Sequence, residues 1–129
     1  MNNQELGQLG ERLTCEYLVN NGYNILGINH RITFGEIDII ARKKWRLFRK
    51  NDKTIHFVEV KTILGEKDFY PEDRVNDKKQ KKLRQLALIW LQKQGFSQDY
   101  PYQIDVAGIT VNSKTNMARL FYFFNAVGD

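Results

Sequence analysis

A lone cysteine, Cys15, leaves this chain no partner for an internal disulfide and no thiol cluster for a structural zinc. Its fold must therefore rest on burial, and Cys15 itself reads as a small thiol facing the core. Nothing in the sequence approaches the roughly 18 consecutive apolar residues of a membrane span. The opening stretch MNNQELGQLGERL also lacks a basic segment followed by an apolar one. A cytoplasmic protein without a membrane partner is expected. Histidine is scarce as well: His30 and His56 stand alone near strand ends and read as structural. Repeats, low-complexity tracts and linker-like segments are missing, so residues 1–129 are expected to form one domain with one active site.

What the chain does have is a surplus of cations. Twenty lysines and arginines face fifteen acids, for a formal charge of +5. That balance favours an anionic partner, nucleic acid first, although net charge alone is weak evidence and its distribution says more. Apolar residues at 42% exclude the profile of a disordered tail.

From Gln4 to Asn21, apolar residues Leu6, Leu9, Leu13, Tyr17 and Leu18 recur at three- and four-residue steps, with Gly22 as a C-terminal cap: an amphipathic helix. Tyr23 to Ile32, Gly35 to Arg42, a basic segment around Trp45, Leu47 and Phe48, and Thr54 to Thr62 read as short strands. Asn51-Asp52-Lys53 looks like a hairpin turn. Residues 63 to 76 show no period and contain Pro71, which predicts a mobile loop. Asp77 with Gln80 resembles a capping box opening a second helix, with Leu83, Leu86, Ala87, Trp90 and Leu91 inward and a stop near Gly95. Tyr102 to Val111 and Met117 to Phe124 read as two final strands. The strand, helix and strand from 57 to 109 suit a crossover that sets parallel strands side by side, which makes an α/β sandwich.

Two strands carry charge where a buried sheet should not. In GEIDII, Glu36 and Asp38 lie two apart and share a face, about 6.5 Å apart along the strand. In FVEVK, Glu59 and Lys61 share a face while Val58 and Val60 point the other way. If these strands are neighbours, three carboxylates and one ammonium converge. Such carboxylates repel unless a cation neutralises them, and hard oxygen ligands select Mg²⁺ or Mn²⁺. The ion would polarise a phosphate and activate water, with Lys61 orienting that water or stabilising charge on the phosphate. The bland alternative is a Glu59–Lys61 salt bridge at a strand end, with Glu36 and Asp38 solvated on an edge. Spacing alone leaves both open.

The stretch GEIDIIA, followed about twenty residues later by FVEVKT, resembles the D…(D/E)-x-K signature of PD-(D/E)XK nucleases. The likeness is strongest to the YraN-like predicted endonucleases, themselves similar to archaeal Holliday junction resolvases. Supporting positions are Gly7, Gly10, Glu11, Asn29, Asp77, Lys78 and Asp105. The resemblance implies a restriction endonuclease-like sandwich, a central mixed β-sheet flanked by helices in the order αβββαββ. It also implies a magnesium- or manganese-dependent endodeoxyribonuclease. Asp38 and Glu59 would be metal ligands, the Val60 carbonyl another, Lys61 catalytic, and Glu11 a first-helix acid approaching the same metal. Glu36 is assigned either to support of Lys61 or to a second metal, and Asp105 to support of the fold. Two departures bear on substrate contacts: Thr62-Ile63-Leu64 where the family usually has an arginine, and Gln103 where an arginine commonly precedes the Asp105 position.

Between the two motifs, residues 42 to 53 hold seven basic residues against one acid, interleaved with Trp45 and Phe48. Arg46 and Arg49 are candidates there to grip a phosphate backbone, with Trp45 stacking on a base or packing on the body. In the second helix Lys78, Lys81, Lys82 and Arg84 are candidates for a DNA-facing side, the alternative being a solvated helix face. Three functions compete: a DNA endonuclease selective for branched substrates, a DNA-binding module that no longer cuts, and an RNA nuclease. A homodimer is entertained through the apolar strand Leu120 to Phe124, which reads equally as a buried last strand.

Overall fold

The computed structural model describes residues 1–65, 68–70 and 75–127. Its elements run α1 (Asn3–Asn20), β1 (Tyr23–Ile32), β2 (Gly35–Lys43), β3 (Ile55–Leu64), α2 (Asp77–Lys93), β4 (Tyr102–Val111) and β5 (Ala118–Phe123). The strands form one sheet in sequence order, β1-β2-β3-β4-β5. Neighbours are antiparallel except β3 and β4, which are parallel and joined through α2. This is the expected mixed α/β sandwich, consistent with a restriction endonuclease-like fold. Among the described residues no helix is long and apolar enough to cross a membrane.

Each face of the sheet is covered by one helix. Leu83, Leu86, Ala87, Trp90 and Leu91 of α2 pack on Ile37, Ile40, Ile55, Phe57 and Ile104. On the opposite face Leu6, Leu9, Leu13, Tyr17 and Leu18 of α1 pack with Ile39, Ala41, Val58, Ala107 and Ile109. Covered on both faces and flanked by strands on both edges, β4 is buried almost throughout, which explains its near-continuous apolar run. Cys15 is half-buried against the α1-side cluster, and burial pushes its thiol up, as suits a packing residue.

Several local expectations need correction. The cap of α2 is Asn76, not Asp77: the Asn76 side chain accepts the Lys79 N–H at 2.9 Å, and Gln80 turns back to the Val75 carbonyl. Asp77 is left as a first-turn acid. Strand β3 continues through Ile63 and Leu64 because its parallel partner carries the ladder to Leu64–Val111. Much of the loop expected over residues 63 to 76 lies outside the described residues; within the described part, Phe69 is buried over Gly108 and Asp68 pairs with Arg119. The segment around Trp45 forms no strand; residues 44 to 54 are an irregular loop, since five cations and no buried face give a strand nothing to pack on. The last strand turns Leu120 and Tyr122 into the α1-side cluster and Phe123 against Phe69, so it is no open apolar edge.

Candidate active site

The β2–β3 ladder is short. Ile39 pairs with Val58, Ile40 with Phe57 and Ala41 with His56, and the strands then part. Asp38 and Glu59 are the next residues on each strand, at the mouth of the gap. There Asp38 Oδ2 accepts the Val60 N–H at 2.8 Å, so a side chain replaces the missing ladder bond. An extended residue presents its N–H and C=O to the same side. The Val60 carbonyl therefore faces this gap too. Packing also breaks step at Asp38: Ile37 joins the α2-side cluster and Ile39 the α1-side cluster. On its other side, Asp38 faces Asn29, which sits between the pairs Ile28–Ile39 and His30–Ile37 in a left-handed conformation.

The other elements supply the surroundings. Helix α1 approaches β3 so closely at Gly10 that a Cβ there would lie 1.9 Å from Thr62 Oγ1. That approach sets the next residue, Glu11, beside the gap, where Asn29 Nδ2 donates to Glu11 Oε2 at 3.0 Å. From the opposite face α2 extends Lys79, whose Nζ lies 3.4 Å from Glu59 Oε1. Lys61 follows Glu59 by two residues on that same, α2-covered face. Glu36 is drawn aside by Arg31, 3.7 Å away.

Expected convergence of three carboxylates is thus only partly met. Among the described residues no three His, Cys, Asp or Glu side chains close into a metal cage. Asp38 and Glu59 are neighbours across the gap and interact, whereas Glu11 hydrogen-bonds Asn29 and Glu36 pairs with Arg31, and both act on Asp38 through their charge. Burial, with the neighbouring charges of Glu59, Glu11 and Glu36, pushes the Asp38 carboxyl up to about 7 against the pull of the Val60 N–H. Glu59 is likewise raised, by burial first, with Lys79 opposing. The donors suit a hard divalent cation: two adjacent carboxylates, of which Glu59 is met by Lys79, and one strand carbonyl facing the same gap. Magnesium typically takes one or two protein carboxylates and fills its remaining positions with water and phosphate oxygens.

The cationic candidates divide between two places. Lys78 and Lys81 are exposed on the first turns of α2, Lys82 lays its stem over Gly35, and Arg84 is half-buried one turn on. All belong to the helix that covers the Glu59–Lys61 face. Arg46 and Arg49 lie in the 44 to 54 loop, at the far end of β2 and β3, and are not brought to the acidic pair.

Asp105 is not a ligand but a buried hub on the α1 side. It meets His56 Nδ1 at 2.7 Å, and Gln103, Tyr122 and the Asn125 N–H all donate to it. Burial raises its carboxyl, but these contacts outweigh burial and hold it below the ordinary range. Gln103 thus fills its unusual position by serving this hub. His56 is structural, as expected. Sequence reasoning missed one site residue, Lys79 among many lysines, and flagged Asn29 as a supporting position without its contact to Glu11. The one signal for Lys79 was its place at the third residue of a capped helix.

A sequence model of the uncharacterised protein family UPF0102 matches residues 10–109. The chain is similar to the UPF0102 protein of Caldicellulosiruptor bescii, at 38% identity over 93% of this chain and 94% of the relative. It is 43% identical to that of Thermodesulfovibrio yellowstonii, over 92% and 96%. The UPF0102 protein of Alkaliphilus metalliredigens is 34% identical over 95% and 97%.

Proposed function

The chain belongs to the uncharacterised protein family UPF0102, and we propose that it is a cytoplasmic, metal-dependent endonuclease that hydrolyses DNA phosphodiester bonds. The observation that carries this reading is the half-buried Asp38–Glu59 pair, set where two strands part, in which Lys79 partners Glu59 while burial and neighbouring carboxylates raise the Asp38 carboxyl. A purely structural ion pair would have its neutralising partner in place. Here the Asp38 carboxyl has a backbone N–H and further carboxylates around it.

A divalent cation bound there would supply Lewis acidity to a phosphate oxygen and a more acidic water. Asp38, Glu59 and the Val60 carbonyl would hold it. Lys61, on the same face as Glu59, would orient the attacking water or balance charge on the phosphate. Lys79 would leave Glu59 as the cation binds and remain available to a non-bridging oxygen. Hydrolysis adds the water oxygen to phosphorus, breaks one P–O ester bond and returns a proton to the departing alkoxide. Glu11, fixed by Asn29, sits where it would accept a proton from, or hydrogen-bond, a water near Asp38. Lys78, Lys81, Lys82 and Arg84 would carry the adjoining backbone. Two cuts related by a twofold axis would need paired protomers, which light scattering with and without a four-way junction tests.

The deciding experiment incubates pure protein with Mg²⁺ or Mn²⁺ and a panel of linear, flapped, forked and four-way DNA and RNA substrates. Cleavage of DNA that Asp38→Asn and Glu59→Gln both abolish is expected. Full cleavage by both variants rejects the site. Cutting of RNA alone reassigns the substrate, and metal-independent DNA binding without cutting leaves a binding module.

A further inference from the structure

The loop of residues 44 to 54 presents its apolar side chains to solvent. Trp45 and Leu47 are each 72% exposed and Phe48, at the apex, is 97% exposed. Phe48 also holds a φ of +62°, where a bulky side chain is an outlier. Strain and exposure coincide on one residue, although the loop around it is built, not slack. The Asn51 side chain accepts the Arg46 N–H at 2.7 Å and donates to the carbonyls of Arg46 and Arg49. Asp52 accepts the Thr54 N–H at 3.0 Å, and the Lys44 N–H reaches the Gly22 carbonyl at 2.9 Å. A hydrogen-bonded turn therefore pushes an aromatic ring outward amid the five cations of the loop. Among the described residues the ring has nothing to pack on.

We infer that Phe48 is a wedge that enters an unpaired or unstacked step of a DNA substrate, with the surrounding cations on the flanking phosphates. Apolar side chains inserted between bases, beside basic groups on the backbone, are an established way of holding an opened duplex. A membrane surface is the less suitable occupant, since interfacial segments offer a broad apolar helix face and this loop offers a single apex. The geometry adds a distance. Lys43, at the base of the loop, is five strand positions from Asp38, which is about 17 Å at roughly 3.3 Å per residue. A DNA strand advances about 3.4 Å per nucleotide, so the base of the loop would lie about five nucleotides from the cleaved bond. That spacing rests on the nuclease reading above; the wedge does not.

The test uses full-length protein in EDTA, so that binding is read without hydrolysis, and DNA carrying 2-aminopurine at the branch of a four-way junction. The parent is expected to raise 2-aminopurine fluorescence and to prefer the junction over intact duplex. Phe48→Ala should lose both, with the preference falling about fivefold or more, while its affinity for intact duplex is retained. Phe48→Trp should restore them. Because the ring is outside the core, the alanine variant should keep the parent melting temperature. Unchanged fluorescence and preference in Phe48→Ala overturn the wedge. So does binding to phosphatidylserine vesicles that needs Phe48, with no junction preference in the parent. A wedge that holds while no substrate is cut in Mg²⁺ or Mn²⁺ tells against the nuclease reading alone.

Discussion

Replacing Asp38 by asparagine should make the metal-free protein more stable, which is unusual for a half-buried site. The variant keeps an oxygen able to accept the Val60 N–H that Asp38 Oδ2 now accepts at 2.8 Å, and loses only the charge. Burial and the adjacent carboxylates push the parent group from 3.8 to about 7. At about 1.36 kcal/mol per pH unit, that rise corresponds to a ceiling near 4 kcal/mol. Asp38 and Glu59 titrate together, so about half, roughly 2 kcal/mol, is a fair expectation for one substitution. The sign follows from linkage. A carboxyl raised in the folded state binds its proton more tightly there, so its favourable contribution is complete below pH 3.8 and is lost as pH climbs through about 7. Asparagine does not titrate. Parent and variant should therefore melt together near pH 4 and diverge up to about pH 8. For a chain of this length an unfolding entropy near 0.27 kcal/mol/K converts about 2 kcal/mol into about 7 °C. Scanning calorimetry in EDTA across that range reads the difference directly. A variant melting at or below the parent at pH 8, or a gap equal at pH 5 and pH 8, would refute the idea that the Asp38 carboxylate is held at a cost.

Three further outcomes are expected. Lys79→Gln removes the ammonium 3.4 Å from Glu59, so Mn²⁺ affinity measured by calorimetry without nucleic acid should rise about threefold or more; an unchanged or weaker affinity would mean that Lys79 and the ion do not compete. Changing Lys78, Lys81 and Lys82 together to alanine should flatten the salt dependence of DNA binding, because fewer counterions are released, and an equal slope would return them to a solvated helix face. Asp105→Ala strands the donors of its four partners, His56 buried and the others partly so, and should cost about 3–5 kcal/mol in urea titrations, whereas a loss under 1 kcal/mol would contradict the hub.

Both helices and all five strands were legible because apolar spacing is a direct image of which face packs. Asp38, Glu59 and Lys61 stood out for the converse reason, as charge inside otherwise buried strands. Their register was not legible. That β2 leaves β3 after three pairs, and that Asp38 then takes the Val60 N–H, depends on a local break in alternation that no spacing rule announces. Ile63 and Leu64 looked like loop because their pairing is set by β4, almost fifty residues further on. Trp45, Leu47 and Phe48 give the stretch around them the look of a strand, yet propensity counts for little where nothing is buried. Lys79 was hidden by its neighbours, since only the packing of α2 selects which of several lysines meets Glu59.

Gly108 has a bearing on how freely the chain around it can vary. A Cβ there would lie 2.3 Å from the Phe69 ring, and Phe69 is the buried anchor among the described residues between Glu59's strand and Lys79's helix. Alanine at 108, ordinarily among the mildest changes in a strand, would eject that ring and forfeit about 2 kcal/mol of burial. The two positions are therefore expected to vary as a pair: a larger residue at 108 is tolerable only beside a smaller one at 69. A library randomised at both sites and sorted for folded protein would recover that exchange as a diagonal, with large residues at both positions missing.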